Sequence, residues 1–468
     1  MGKADIQNLI AQSSQVRKLG ASIAQPQARV ALNGLIGSSF SFAVAESYKE
    51  AKKPFLVILN DKEEAAYFLN DFETLLKEEN VLFYPGSYRR PYQIEETDNA
   101  NVLLRAEVLN RINSRKKPAL IVTYPDALFE KVVTRKELEK STLKVKVNDS
   151  LSLDFVNEML FEYKFKRVDF VSEPGEFSVR GGIIDVFSFS HDQPYRIEFF
   201  GDEVDSIRTF DVETQLSVDK VKSISLMPNV EKKGLLETRE SFLNYVSDDT
   251  VVFVKSIEQL SDTIDKTFAK AEEAFAKLSA DINHSKPEEL FCTSKLIRKE
   301  LLDFALVQFD GTLNQVQGDA SETEEIQFNQ QPQPAFNKQF DLLIKDLNDN
   351  HEKGFHNYIF CVSEQQAKRF HDIFSDSKLD VKQYETVLIS MFRGFIDDDL
   401  KIACYTDHQI FERYHKFNLK NGYAKKQAIT LKELTSLQVG DYVTHIDHGI
   451  GKFGGLQKIE VEGKQQEA

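Results

Sequence analysis

The chain has 468 residues, enough for roughly three domains of about 150 residues each, so a single compact core is excluded. Lys and Arg number 59 against 74 Asp and Glu, a net charge of −15; a surface of that sign repels phosphate in most directions, which excludes a uniformly basic nucleic-acid coat and leaves only a local basic face open. With 41% hydrophobic residues, 36 Phe and 15 Tyr, the chain can fill sizeable cores and is not disordered as a whole.

Residues 55–59, Phe-Leu-Val-Ile-Leu, form a continuous apolar run expected to be a buried strand. Asp61 follows as a helix cap with Glu64 three positions on, and Ala65, Phe68, Leu69, Phe72, Leu75 and Leu76 repeat at helical spacing. A second strand at 81–84, a helix capped by Asp98 that carries Val102, Ala106, Leu109 and Ile112, and a third strand at 119–122 complete a strand–helix alternation. That order predicts a parallel sheet with crossover helices. From about residue 170 the texture changes to short β runs at 177–179, 183–187, 195–199 and 207–210, separated by Gly181-Gly182, by residues 190–194 and by Gly201-Asp202. This is an inserted antiparallel meander. Residues 251–254, Val-Val-Phe-Val, return to the first sheet, and 257–310 read as helical, with Leu260, Ile264, Phe268, Ala271 and Phe275 in phase.

The polar stretch 311–333 has no core-building pattern and is expected to be a linker. Beyond it, residues 340–414 alternate helix and strand again and predict a second, small α/β unit. A β piece opens near 435, with a turn at Asp447-His448-Gly449-Ile450-Gly451. Two strands alone are marginal in water, so this last piece is expected to be the start of a domain that continues in a longer protein.

Cys292, Cys361 and Cys404 are too far apart for a CxxC metal site and odd in number, which fits a reducing cytoplasm better than a disulfide framework. The first 20 residues lack an apolar signal segment, and no run approaches the ~18 apolar residues of a membrane span. His445 and His448 beside Asp447 lack a third ligand at usable spacing and read as solvated turn residues, as Glu95-Glu96 and residues 397–399 read as loop charge.

The segment Asn33-Gly34-Leu35-Ile36-Gly37-Ser38-Ser39-Phe40-Ser41 is the one place that approaches a phosphate loop. Such a loop needs G-x-x-x-x-G-K-[ST], so that backbone amides converge on phosphate, a lysine reaches its outer oxygens and a hydroxyl meets magnesium. Gly34 and Ser41 fit the ends, but Ser39 stands in place of the second glycine and Phe40 in place of the lysine. Spacing alone leaves two readings, a Gly/Ser turn entering a helix or a degenerate phosphate loop. After residues 251–254 a working NTPase would carry an acidic pair for magnesium and water, yet Lys255-Ser256 follow. If both sites are remnants, the two departures together predict a motor's shape without ATP turnover.

Basic groups cluster at Arg89-Arg90, at Arg111, Arg115, Lys116 and Lys117, and at Lys164, Lys166 and Arg167. The second cluster suits a helix C-terminus. The third, with Arg180 and Phe177, is expected to form one face of a small β unit whose arginine-plus-aromatic composition matches protein-binding hot spots.

Residues 173–187, Glu-Pro-Gly-Glu-Phe-Ser-Val-Arg-Gly-Gly-Ile-Ile-Asp-Val-Phe, and the run 194–208 that opens Pro-Tyr-Arg-Ile-Glu-Phe-Phe-Gly-Asp resemble the module shared by the excision-repair protein UvrB and the bacterial transcription-repair coupling factors. Residues 328–336, Phe-Asn-Gln-Gln-Pro-Gln-Pro-Ala-Phe, resemble the entry to the coupling factors' third domain, and residues 437–453 resemble the start of their CarD-like RNA-polymerase-interacting domain. UvrB keeps an intact phosphate loop where this chain has Ser39 and Phe40, so the coupling-factor family is the better match.

The resemblance implies an α/β multi-domain chain. It would comprise a degenerate P-loop NTPase-like parallel sheet (1–125 plus 212–310), an inserted antiparallel β-rich UvrA-binding domain (126–211), a linker (311–333), a second small α/β domain (334–432) and the start of a CarD-like β-barrel (435–468). It implies a role in recruiting UvrA to stalled RNA polymerase in the cytoplasm, with UvrA and RNA polymerase as partners and no membrane. No cofactor is expected in this chain; ATP, magnesium and double-stranded DNA belong to motor domains beyond it. The family's UvrA contacts carry over to Arg167 and Arg180, with Phe177 and Phe187 as neighbours, although core packing accounts for Phe187 better than contact does. Ser178 stands where UvrB uses a second arginine. The docking face is also expected to be masked in a full-length protein. Two other readings are an active UvrB-like helicase subunit and a polymerase-binding accessory protein with no repair role.

Overall fold

The computed structural model describes residues 3–76, 80–87, 99–114, 117–189, 191, 193–227, 239–278, 285–309, 323–377, 379–413 and short strands between 442 and 467. Arg89-Arg90, Glu95-Glu96, Arg115-Lys116, residues 311–322 and the Asp447-His448 turn lie outside the described residues. Two compact units are present, Met1–Asn418 and Leu419–Ala468.

The larger unit is built on a seven-stranded sheet in the order Glu324–Gln327, Arg29–Asn33, Ala305–Gln308, Val251–Val254, Phe55–Ile58, Leu120–Thr123, Val81–Phe83. All six ladders are parallel. Phe55–Ile58, Leu120–Thr123 and Val251–Val254 are buried along their whole length because helices cover both faces. The expected return of Val251–Val254 is a central position, with Val251 opposite Phe55 on one side and Ala305 on the other. The cap at Asp61 forms: its carboxylate accepts the Glu64 N–H at 2.8 Å, and the Glu64 carboxylate accepts the Asn60 N–H at 3.0 Å.

The expectation for 257–310 is corrected at its end. Helices Ile257–Ala276 and Ser294–Leu301 are followed by the buried strand Ala305–Gln308, whose short apolar run periodicity cannot separate from helix. The expected linker 311–333 is corrected too. Glu324–Gln327 is the edge strand of the large sheet and Gln330–Pro332 the edge strand of another. Both are polar because an edge strand needs little apolar surface; only Ile326 of the first is buried.

The inserted β-rich part holds a six-stranded sheet in the order Ser217–Lys220, Glu203–Phe210, Tyr195–Phe200, Ile183–Val186, Glu176–Arg180, Lys166–Arg167. Only its last pair is parallel. A second ladder joins Leu143–Lys146 to Ser223–Leu226, so the strands of this part lie between 143 and 226, against the expected 126–211. Residues 126–142 keep company with the first sheet's helical layer: the Phe129 ring stacks on Phe291 with centroids 4.4 Å apart, and Val132–Val133 pairs with Arg239–Glu240.

The small α/β part carries a five-stranded sheet in the order Gln330–Pro332, Phe395–Asp397, Ile402–Thr406, His356–Cys361, Glu385–Leu388. Helices Phe340–Glu352 and Glu364–Asp376 close its core over Leu343, Leu347, Ile359, Phe370 and Tyr405. Among the described residues the smaller unit contains two antiparallel strand pairs, Tyr442–His445 with Gly449–Lys452 and Lys458–Val461 with Lys464–Glu467.

Candidate functional site

Alternation along the strands of the β-rich sheet separates two faces. Phe177 stands opposite Val186, and Val186 opposite Tyr195; Ile184 stands opposite Ile197, and Ile197 opposite Ile207. This face is apolar and buried. On the other face, Ser178, Asp185, Arg196, Arg208 and Lys220 follow one another across five strands.

That polar face is wired by carboxylates. Asp185, 1% exposed, accepts two hydrogen bonds from Arg196, at 2.7 Å from Nε and 2.9 Å from Nη2, and a third from Arg180 Nη2. The hydrogen bonds that Arg196 donates to Asp185 favour its protonated guanidinium and raise its pKa. Glu198 accepts from Arg208 Nη2 at 2.8 Å and from the Ser206 hydroxyl at 2.6 Å. Arg180 ends its strand at the turn formed by Gly181 and Gly182, where Gly181 has φ +58°. Its guanidinium lies over the ring of Phe170, 5.4 Å from the centroid, and Phe170 is 64% exposed. A charged fork is thus held at the sheet's rim, fixed from beneath and open to a partner.

The other residues expected at this site fall elsewhere. Arg167 is exposed on the edge strand Lys166–Arg167, opposite Phe177, so by register it belongs to the Phe177 face while Arg180 belongs to the Ser178 face. The single shared face is corrected, because three positions along a strand reverse the side-chain direction. Phe177 and Phe187 are fully buried, which corrects the expected exposure of Phe177. The Phe161 ring meets Phe177 edge-on at 5.1 Å. The exposed aromatic residues of this part are instead Phe155, Phe161, Phe170 and Phe200. Phe200 was findable, since it directly precedes the turn Gly201-Asp202 at the end of an alternating strand.

The phosphate-loop segment joins strand Arg29–Asn33 to helix Ser39–Ala51. Gly34 and Gly37 have φ of +79° and +56°. The Ile36 N–H donates to Ser39 Oγ and to Gln330 Oε1, each at 3.1 Å, and the Ser38 N–H donates to the Arg393 carbonyl at 3.1 Å. Phe40 is buried, stacked on Phe309 at 3.9 Å and edge-on to Phe68 and Phe253. Its position is a core position, with no room for a solvated ammonium group. The Ser41 hydroxyl donates to Asp71 at 2.9 Å.

Across the sheet, Lys255 Nζ donates to Glu64 Oε1 at 2.5 Å, and Ser256 caps helix Ile257–Ala276 by accepting the Gln259 N–H at 3.3 Å. Asn60, Lys255, Ser256, Asp262 and Lys266 line a cleft of about 220 Å³ at the C-terminal ends of Phe55–Ile58 and Val251–Val254. Among the described residues no group of three or more His, Cys, Asp or Glu is placed to hold a metal ion, and no helix is long and apolar enough to cross a membrane.

Residues 143–231 match the family model of the UvrB interaction domain, and residues 437–468 match that of the CarD-like/TRCF RID domain. A transcription-repair-coupling factor of Bacillus subtilis (strain 168) is 24% identical over 98% of this chain and 44% of its own length. Those of Staphylococcus haemolyticus (strain JCSC1435) and Staphylococcus aureus (strain USA300) are also 24% identical, over 92% and 93% of this chain and 42% and 43% of theirs. The chain spans less than half the length of the curated relatives it matches. With both domain matches in the expected order, the chain is similar along nearly its whole length to the transcription-repair-coupling factors.

Proposed function

We propose that this chain is the N-terminal, partner-recruiting part of a transcription-repair coupling factor: the β-rich part docks UvrA, and the residues from 437 onward begin a CarD-like barrel that docks RNA polymerase. The observation that carries this reading is the polar face within the UvrB-interaction match, where Asp185 fixes Arg180 and Arg196 and Phe170 backs the Arg180 fork. Rigid arginines beside exposed aromatic surface suit an acidic partner surface and give salt-sensitive association. Arg167, on the neighbouring edge strand, extends the contact around the rim.

In this reading the chain does not turn over ATP, since Phe40 replaces the phosphate-binding lysine and Lys255 stands where a metal-binding carboxylate would be needed. ATP, magnesium and double-stranded DNA belong to a motor elsewhere in the whole protein, which works in the cytoplasm. An active UvrB-like helicase subunit is the weaker alternative for the same reason.

Pull-downs with UvrA and with RNA polymerase test the division of labour. A chain ending at residue 418 keeps UvrA and loses polymerase. Loss of UvrA from that shortened chain, or retention of polymerase, contradicts the assignment.

A further inference from the structure

Phe40 stands where a phosphate loop has its lysine, which leaves the question of what residues 34–41 do instead. A phosphate loop works because glycines without Cβ atoms let backbone amides close around an anion. Here Gly34 is kept, the second glycine is replaced by Ser39, Gly37 stands at a position the motif leaves free, and the Ile36 and Ser38 amides point at protein. A Cβ on Gly37 would lie 2.8 Å from the Gly394 carbonyl oxygen and 2.9 Å from Arg393 Cβ; one on Gly34 would lie 2.1 Å from the Phe328 carbonyl oxygen. Both glycines therefore sit where another stretch of this chain comes too close for any side chain.

We propose that residues 34–41 form a docking socket for the small α/β part of the same chain, filled by residues 390–394 and by Gln330, so that a polyphosphate is excluded by occupation as well as by the missing lysine. The contacts are reciprocal. The Ser38 N–H donates to the Arg393 carbonyl at 3.1 Å, and the Arg393 N–H donates to Ser38 Oγ at 3.0 Å. Gln330 is oriented by giving its amide N–H to Asp397 Oδ2 at 2.7 Å, which leaves its oxygen for Ile36 and Ser39. The Phe392 N–H donates to the buried Asp71 carboxylate at 2.8 Å, the group that also holds Ser41. The Phe392 ring stacks on Tyr67 at 4.1 Å.

The socket's helix continues the junction, with Phe42 packed against Phe360 and Phe395 at 6.3 and 6.1 Å. An oxygen from Gln330 and one from Arg393 occupy the directions in which phosphate oxygens would be bound. The small α/β part thereby becomes a brace on the parallel sheet, and the two move as one body.

Hydrogen exchange on the whole chain tests this. Replacing Gln330 and Phe392 together by alanine removes the Gln330 acceptor from Ile36 and Ser39 and the Phe392 ring from Tyr67, which loosens residues 390–394 in the socket. Exchange of the Ile36 and Ser38 amides rises at least about tenfold, the equivalent of roughly 1.4 kcal/mol, while Val251–Val254 is unchanged. Unchanged exchange at Ser38 overturns the proposal. Should the double variant lose its fold, seen as equal acceleration in Val251–Val254, the wild-type chain decides. Saturating Mg-ATP leaves its Ile36 and Ser38 amides as they were, and nucleotide-dependent protection of either amide overturns the proposal.

Discussion

Asp71 is fully buried between two helices and the loop at 390–394, and burial pushes its carboxyl up to about 7 despite the hydrogen bonds from Ser41, Ser38 and the Phe392 N–H. In the unfolded chain the same group titrates near 3.8. Between these values the folded state binds the extra proton, so raising the pH from about 4 to about 7 removes stability, and the loss levels off above 7. Asp71→Asn cannot ionise. Urea unfolding at pH 5 and pH 8 is expected to show a smaller loss for the variant than for wild type; equal losses would mean that Asp71 ionises freely. Phe177 and Phe187 make a second residue-scale prediction. Because both are fully buried, alanine at either costs about 3–5 kcal/mol of stability, read as a lower urea midpoint. A variant that kept full stability yet lost UvrA binding would return that phenylalanine to the docking face. The composition around 177 pointed to arginine beside aromatic rings, and Arg180 does lie over Phe170, but which face Phe177 takes depends on its pairing with Val186, and composition carries no register.

At the scale of elements, the buried strands and the cap at Asp61 were legible because continuous apolar runs and S/T/D-x-x-E spacing are local signals. Glu324–Gln327 and Gln330–Pro332 were not, since an edge strand borrows its order from its one neighbour. The turn after Arg180 was legible as Gly181-Gly182, and its demands differ by position. Gly181 has a left-handed φ with open space around it, whereas a Cβ on Gly182 would lie 3.1 Å from the Phe199 carbonyl oxygen. Gly181→Ala is therefore expected to cost about 1–2 kcal/mol through backbone strain alone, measured by urea unfolding, with UvrA affinity lowered as the Arg180 fork shifts. A neutral Gly181→Ala would show that the turn relaxes without strain.

For the whole molecule, the net charge of −15 and the division into several parts suit a chain whose business is with proteins. What could not be read in advance is how the parts are joined. The contact between residues 34–41 and 390–394 links positions more than 350 residues apart, as with Ser38 and Arg393, and no local pattern announces it. If the arginine fork fixed by Asp185 docks UvrA, calorimetric titration of UvrA into the chain at low and high salt reads it out. Binding is expected to weaken with salt and to fall at least about tenfold, roughly 1.4 kcal/mol, in Arg180→Ala at unchanged thermal stability. Equal UvrA affinity of Arg180→Ala and wild type at both salts would contradict it.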